Sequence, residues 1–168
     1  GTLMWTTDGV PACTAAGTQF YPTVGADGSG GAFVAWSDAR SGQFDAYVQH
    51  ILPGGGIPWT PDGVNVCSAA GAQAPSGIVR DGAGGVVVAW QDGRYPGADI
   101  YAQRLNPAGY TLWSYNGALV SDAPGDQSQP LAISDGANGA ILLWLDGRDG
   151  SVDLYGQRID RYGALGNA

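Results

Sequence analysis

Short apolar runs alternate along the chain with glycine-rich turns, and the whole pattern occurs three times. The clearest runs are the pentapeptides AFVAW, VVVAW and AILLW, which begin at Ala32, Val86 and Ala140. Each run is continuously apolar, which is typical of a strand that is covered on both faces. An Asp-Gly pair precedes each run and is followed by Gly-Gly in the first two repeats and by Asn-Gly in the third. These pairs favour the positive backbone angles of tight hairpin turns. We therefore predict a buried strand, strand b, in each repeat.

Three further segments of each repeat predict short strands around strand b. Strand a contains Gln19, Gln73 or Gln127 and precedes the Asp-Gly turn. Strand c, which reads DAYVQHI, DIYAQRL or DLYGQRI, follows a polar loop and alternates in polarity between its two faces. A segment with a tryptophan and a glycine turn, strand d, begins the chain and follows the first two copies of strand c. No stretch shows a helical period, so the chain is predicted to be all-β.

Equivalent residues recur every 54 residues with no insertion or deletion, as Trp36, Trp90 and Trp144 show. These three tryptophans end strand b and are expected in the core. A period of this length suggests repeats that bury their apolar faces against one another. We predict a single repeat domain over residues 1–168, in which residues 1–15 complete the last repeat, in the same chain or in another. The three repeats span residues 16–69, 70–123 and 124–168, and the third is incomplete.

The pattern DGxGGxxVAWxDxRxGxxDIYAQR, followed by a tryptophan and a glycine turn, resembles the tandem repeats of secreted bacterial surface proteins. The resemblance implies an extracellular, blade-forming module of the β-propeller type and implies no catalytic motif. Four antiparallel strands are the content of one blade, but propellers usually have about 4–8 blades. Three blades therefore suggest half of a six-bladed ring of two chains, or a strand-exchanged filament. A threefold β-trefoil or β-prism is the alternative fold.

Composition narrows the range of partners. The chain has 15 acidic residues against 7 arginines and a net charge of −8. Such a surface repels phosphate backbones, so we expect no nucleic-acid partner. No apolar run approaches the ~20 residues of a membrane helix, so no membrane insertion is expected. Cys13 and Cys67 are equivalent residues of neighbouring units, which favours two separate thiols over a disulfide.

A polar set that recurs in each repeat is the candidate ligand site. Carboxylates and arginines can hydrogen-bond sugar hydroxyls, and an aromatic ring can cover the apolar face of a sugar. The same residues could instead form a carboxylate–guanidinium network that fixes the loop between strands b and c. Two tryptophans beside turns are candidates for stacking on a ligand, with core packing as the competing interpretation. The candidates are Asp38, Arg40, Asp45, Tyr47, Trp59, Asp92, Arg94, Asp99, Tyr101, Trp113, Asp146, Arg148, Asp153 and Tyr155.

Other chemistry finds little support in the sequence. His50 stands where the other repeats have Arg104 and Arg158, and it is expected to face solvent. The chain has neither a G-x-S-x-G pattern nor a singular pair of acidic residues, so we predict no catalytic residue and no cofactor. Each Asp-Gly turn supplies one carboxylate, at Asp27 and its two equivalents, which favours turn formation over a metal site.

The sequence therefore predicts a secreted, non-catalytic β-repeat module, extracellular or at the cell surface. The first hypothesis is multivalent recognition of a glycan or another cell-surface ligand, with avidity from repeated sites. The alternative is a structural subunit of an extracellular oligomer or filament that is joined by β-strand complementation. Self-association is expected in either case.

Overall fold

The computed structural model describes residues 5–166, which form eleven antiparallel strands and no helix. The all-β prediction is confirmed. The strands lie in three sheets of four, four and three strands, each in chain order. Sheet 1 comprises β1 (Gln19–Ala26), β2 (Ala32–Asp38), β3 (Asp45–Ile51) and β4 (Val64–Cys67). Sheet 2 comprises β5 (Gln73–Arg80), β6 (Val86–Asp92), β7 (Asp99–Leu105) and β8 (Ala118–Ser121), and sheet 3 comprises β9 (Gln127–Ser134), β10 (Ala140–Asp146) and β11 (Asp153–Ile159).

These elements correspond to the predicted strands a, b, c and d. Strand b is two residues longer than predicted, because Asp38 still pairs with Asp45, the first residue of strand c. The same pairing recurs at the end of β6 and of β10. Within residues 5–166, sheet 3 has no strand d, and residues 5–15 form no strand.

The turns between strands a and b are held by an aspartate side chain. Asp27 Oδ1 accepts hydrogen bonds from the backbone N–H groups of Ser29 (2.7 Å) and Gly31 (2.8 Å). Gly28 has a φ of +86°, a conformation that glycine adopts without the strain of a side chain. The same two bonds recur in the other repeats. The prediction that these aspartates form turns is confirmed.

The second oxygen of each turn aspartate binds a cationic or imidazole group from strand c. His50 Nε2 lies 3.0 Å from Asp27 Oδ2, and Arg104 approaches Asp81 Oδ2 to 2.8 Å. The His50 ring also stacks on Phe33, with 4.4 Å between ring centroids. The prediction that His50 faces solvent is therefore wrong, because its buried carboxylate partner and the aromatic ring hold it at the sheet.

The three sheets pack face to face in chain order. One face of sheet 2 contacts sheet 1 and the other contacts sheet 3, and both junctions are filled by apolar side chains. The run from Val86 to Trp90 is fully buried, as predicted for a strand that is covered on both faces. Trp36 and Trp144 are also buried, which confirms that the tryptophans of strand b belong to the core.

Strand a of each sheet lies against strand a of the next sheet, and small residues permit the contact. A Cβ atom added to Gly25 would lie 3.2 Å from the carbonyl oxygen of Ile78. One added to Gly77 would lie 3.1 Å from the carbonyl oxygen of Pro130. Ser76 Oγ donates to that same carbonyl at 2.8 Å, so the sheets also share hydrogen bonds along this line.

Candidate functional site

The repeated polar residues form a hydrogen-bond network at the end of strand b, which is most complete in sheet 2. Asp92 is fully buried, and its Oδ2 accepts a hydrogen bond from Trp90 Nε1 at 2.7 Å. Arg94 donates to the same carboxylate from its backbone N (3.0 Å), Nε (2.8 Å) and a terminal nitrogen (2.6 Å). The Cys67 Sγ lies 3.7 Å from Oδ2. Both carboxylate oxygens therefore have protein donors and no exposed surface.

The guanidinium of Arg94 is also bound within the protein. Its terminal nitrogen donates to the carbonyl of Asn116 at 2.8 Å. The group lies 3.7 Å from the centroid of the Tyr101 ring, which is a favourable cation–π distance. Arg94 thus connects three parts of sheet 2: the loop after strand b, strand c, and the loop that leads to strand d.

The network recurs in sheets 1 and 3. Arg40 lies 4.0 Å from the Tyr47 ring centroid, and Arg148 lies 3.7 Å from that of Tyr155. Each arginine also contacts its strand-b aspartate at 2.6 Å. The Arg148 side chain is 29% exposed, against 22% for Arg40, because the described part of sheet 3 has no loop leading to a strand d.

Hydrogen bonds keep two of the strand-b carboxylates, those of Asp146 and Asp38, ionised. Hydrogen bonds from Arg148, opposed by burial, lower the pKa of Asp146 to about 2. At Asp38 burial acts to raise the pKa, but hydrogen bonds from Arg40 and Trp36 outweigh it and lower the pKa to about 2. These carboxylates are therefore charged at neutral pH and are satisfied by fixed protein donors.

The aspartates that begin strand c lie beside this network but outside it. Asp99 pairs in register with Asp92. Burial raises the pKa of Asp99, and repulsion from Asp122 and Asp92 adds to the effect. Asp45 is 2% exposed, whereas Asp153 is exposed. The structure thus brings the aspartate of strand b, the arginine and the tyrosine together in every repeat, whereas within residues 5–166 no hydrogen bond or ion pair joins a strand-c aspartate to the arginine.

The two tryptophans predicted as candidates for ligand stacking lie at the junctions between sheets. Trp59 and Trp113 are only 5% and 8% exposed. Trp59 Nε1 donates to the carbonyl of Pro107 at 2.9 Å, and its ring covers Gly109, where an added Cβ would lie 3.0 Å from the indole. Trp113 donates in the same way to Arg161 at 3.1 Å. Each tryptophan therefore holds the turn after strand c of the following sheet.

Residues 5–15, which we call the N-terminal segment, contact sheet 1 in the same manner. Trp5 Nε1 donates to the carbonyl of Pro53 at 2.7 Å. The backbone N–H of Thr14 donates to Asp62 Oδ1 at 2.7 Å. Sheet 2 receives the equivalent two bonds from the strand-d segment of sheet 1. The N-terminal segment therefore has the contacts of a strand-d segment from a preceding sheet, although no such sheet lies beside it within residues 5–166.

Sheet 3 has an exposed apolar surface, which we call the end face, on the side turned away from sheet 2. Its five aliphatic side chains are between 38% and 74% exposed. The equivalent face of sheet 2 is buried, because sheet 3 covers it. A shallow pocket of about 270 Å³ lies among these side chains. The end face consists of Leu131, Ile133, Ile141, Leu143 and Leu154.

The end face is not among the candidate residues predicted from the sequence. A comparison of equivalent residues in the three repeats could have revealed it. Leu143 stands where the other two sheets have Ala89 and Ala35, and Leu131 stands where sheet 2 has Gly77. Sheet 3 thus has larger side chains on the face that corresponds to the inner junctions.

Cys13 and Cys67 are free thiols, in agreement with the prediction of two separate cysteines. Cys67 is fully buried, and burial raises its pKa to about 12. Cys13 is half-buried, and burial also raises its pKa. Both thiols therefore stay protonated at neutral pH, and each packs beside the carboxylate of a strand-b aspartate.

No protein-family model matches the chain, and no curated protein matches its sequence. The resemblance to the repeats of secreted surface proteins stays a prediction. Residues 5–166 contain no helix that is long and apolar enough to cross a bilayer. In the same part of the chain, no three or more histidine, cysteine or acidic side chains lie together in a group that could hold a metal ion.

Proposed function

We propose that this chain is a non-catalytic β-repeat module, secreted or held at the cell surface, whose function is to build an extracellular assembly. The observation that carries the proposal is the end face of sheet 3, where five large aliphatic side chains are 38–74% exposed. The equivalent positions of sheet 2 are covered by the next sheet. Contiguous exposed apolar surface of this kind marks a place where a partner packs.

The three sheets are, in this proposal, blades of a β-propeller type. Strands pair in chain order within each sheet, and successive sheets stack face to face. In a threefold prism each sheet would turn one face to a shared centre. Both faces of sheet 2 are covered instead, which favours blades over the trefoil or prism alternative.

The recurring polar set supports a structural role. Asp92 has no exposed surface, and Arg94 is held by Asp92, Asn116 and the Tyr101 ring. A sugar hydroxyl would have to displace several short, charge-assisted hydrogen bonds in order to reach either group. The same residues in all three repeats therefore serve the fold and leave the end face as the surface for assembly.

Light scattering behind size-exclusion chromatography, over a concentration series, tests the proposal. We expect dimers or larger species for the natural sequence, with association that strengthens as salt screens the net charge of −8 per chain. The double variant Leu143→Asp/Leu154→Asp places charges on the end face and should be monomeric. Tyr115→Asp changes a side chain that is 86% exposed and lies outside the end face, so it should associate normally. A natural chain that is monomeric at every concentration would contradict the proposal.

Glycan recognition is the second candidate function, and it is favoured by exposed tyrosine rings rather than by the recurring polar set. Exposed rings can stack on sugar faces, whereas Trp59 and Trp113 are buried at junctions. A glycan array should then show binding that is lost when the five exposed tyrosines are changed to serine. Binding that survives these changes would exclude the rings as the site. The five are Tyr21, Tyr95, Tyr110, Tyr115 and Tyr162, which are 72%, 62%, 71%, 86% and 79% exposed.

A further inference from the structure

We propose that the end face of one chain docks on sheet 1 of a second copy, and that the N-terminal segment of that second copy extends β11 as its fourth strand. The inference rests on the proposed assembly function and deepens it, because it names the partner, the two surfaces and the strand register. Each surface belongs to a different end of the stack of sheets, so the contact is head to tail.

The position of the N-terminal segment supports this contact. Its bonds from Trp5 to Pro53 and from Thr14 to Asp62 are those of a strand-d segment on the following sheet. The segment of sheet 1 that makes both equivalent bonds, and the segment of sheet 2 that makes the tryptophan bond, also pair with strand c of their own sheets. Within residues 5–166 the N-terminal segment has no strand c beside it, and β11 has no strand d. Each therefore offers the pairing edge that the other lacks.

The equivalence of the repeats sets the register of the new strand pair. In sheet 1, Ala46 of strand c pairs with Cys67 of strand d, and sheet 2 has the corresponding pair. The residues at these positions in β11 and in the N-terminal segment are Leu154 and Cys13. Leu154 of one copy should therefore lie opposite Cys13 of the other, with both side chains on the same face of the sheet.

The two faces that would meet both have apolar side chains, and their spacing along strand a would be wider than at the inner junctions, because Leu131 stands where Gly77 permits a close approach. The face of sheet 1 that is turned away from sheet 2 has a pocket of about 190 Å³ beside the N-terminal segment. The end face has Leu131 and Leu143 where an inner junction has Gly77 and Ala89, so it projects further than the faces inside the stack. Large aliphatic side chains on one face can fill an apolar recess on the other. The pocket is lined by Ala12, Cys13, Gln19, Pro22, Val34 and Trp36.

A head-to-tail contact between copies of three sheets can close or remain open. Two copies that close on each other would make the contact twice and form a ring of six sheets, which lies within the usual range of about 4–8 propeller blades. Copies that do not close would add in one direction and form a filament. Both products use the same strand register.

A cysteine cross-link tests the register directly. Leu154 is 74% exposed, so Leu154→Cys should fold normally, and circular dichroism of the reduced variant checks this. Residues directly opposite in an antiparallel pair are close enough for a disulfide. Mild oxidation should therefore link Cys13 of one copy to the cysteine introduced in another, with most of the chain in linked species on a non-reducing gel. Leu154→Cys combined with Cys13→Ser should not link, and Val152→Cys, one residue before the start of β11, should link far less.

Mixing ¹⁵N-labelled and unlabelled chains before oxidation shows which chains are joined. Linked peptides that contain one labelled and one unlabelled member support the proposal, whether the products are closed dimers or a ladder of larger species. A disulfide within a single chain, or equal linking by Val152→Cys, would overturn it. If the natural chain associates but Leu154→Cys does not link, the register is wrong while the assembly function stands. A chain that never associates would overturn both.

Discussion

Replacing Asp92 by alanine removes the acceptor at the centre of the sheet 2 network. The buried Trp90 Nε1 then loses its partner, and Arg94 loses three donor contacts of 2.6–3.0 Å. Arg94 keeps the carbonyl of Asn116 and the ring of Tyr101, and its side chain is 14% exposed. The variant therefore leaves a largely buried cation with incomplete compensation, and it also leaves a small cavity beside Cys67.

These contacts set bounds on the stability that Asp92→Ala should lose. Hydrogen bonds to charged groups contribute roughly 1.5–3 kcal/mol each, but they are not additive when they share one acceptor. Removing one partner of a buried ion pair costs about 3–5 kcal/mol. We expect Asp92→Ala to lower the free energy of unfolding by about 3–5 kcal/mol, which corresponds to a fall in Tm on the order of 10 °C for a chain of this size.

Thermal and urea unfolding, followed by tryptophan fluorescence and circular dichroism, measure this loss. Asp146→Ala is the matched control, because it removes the same residue type from the same position in sheet 3. The Arg148 side chain is 29% exposed, against 14% for Arg94, so water can replace more of the hydrogen bonds that Arg148 loses. Asp146→Ala should therefore lower the free energy of unfolding by clearly less than Asp92→Ala does. A cost below about 1 kcal/mol for Asp92→Ala, or equal costs for both variants, would refute the structural role of the network.

Three further predictions follow from other contacts. Gly77→Ala should lower the free energy of unfolding by about 1–3 kcal/mol in a urea titration, because its Cβ would press on sheet 3. Gly54→Ala is the control and should be neutral, because its Cβ would have open space around it. Equal effects of the two changes would contradict the close approach of sheets 2 and 3. The pKa of Asp146 lies at about 2, below its ordinary value of 3.8, so its contribution to stability is complete above about pH 4 and is lost as the pH falls towards 2. Asp146→Asn should therefore flatten the pH dependence of Tm in that window, and an unchanged slope would contradict the shift. In protein dilute enough to be unassembled, Cys13 should react with a thiol reagent at pH 8 well before Cys67, whose pKa is about 12, as peptide mass spectrometry would show. Equal rates would contradict the burial of Cys67.

The strands were predictable because their signals are local. Apolar runs between glycine turns fix the strands a, b and c within a few residues, and the repeat itself confirms each assignment three times. The burial of Trp90 also follows from its position at the end of a continuously apolar run. The extra length of strand b was not visible, because Asp92 is polar and its burial depends on hydrogen bonds from Trp90 and Arg94, which a pattern of apolar residues does not reveal.

Burial and exposure depended on neighbours that the sequence pattern does not specify. His50 is held at the sheet by Asp27, which lies 23 residues earlier. Leu143 and Leu154 occupy positions that are buried in sheet 2, and they are exposed because no sheet covers them within residues 5–166. The candidate polar residues have the same identities in a sugar site and in a structural network, so only their contacts distinguish the two.

Hydrogen exchange at low and high protein concentration tests the head-to-tail assembly most directly. Amides on the free edge of β11 and in the N-terminal segment lack strand partners in a single chain and should exchange rapidly when the protein is dilute. As the concentration rises, we predict slower exchange in residues 9–14 and 153–159 together, while the interior strand β7 stays unchanged. Exchange at both edges that does not depend on concentration, or protection at only one of them, would contradict the account.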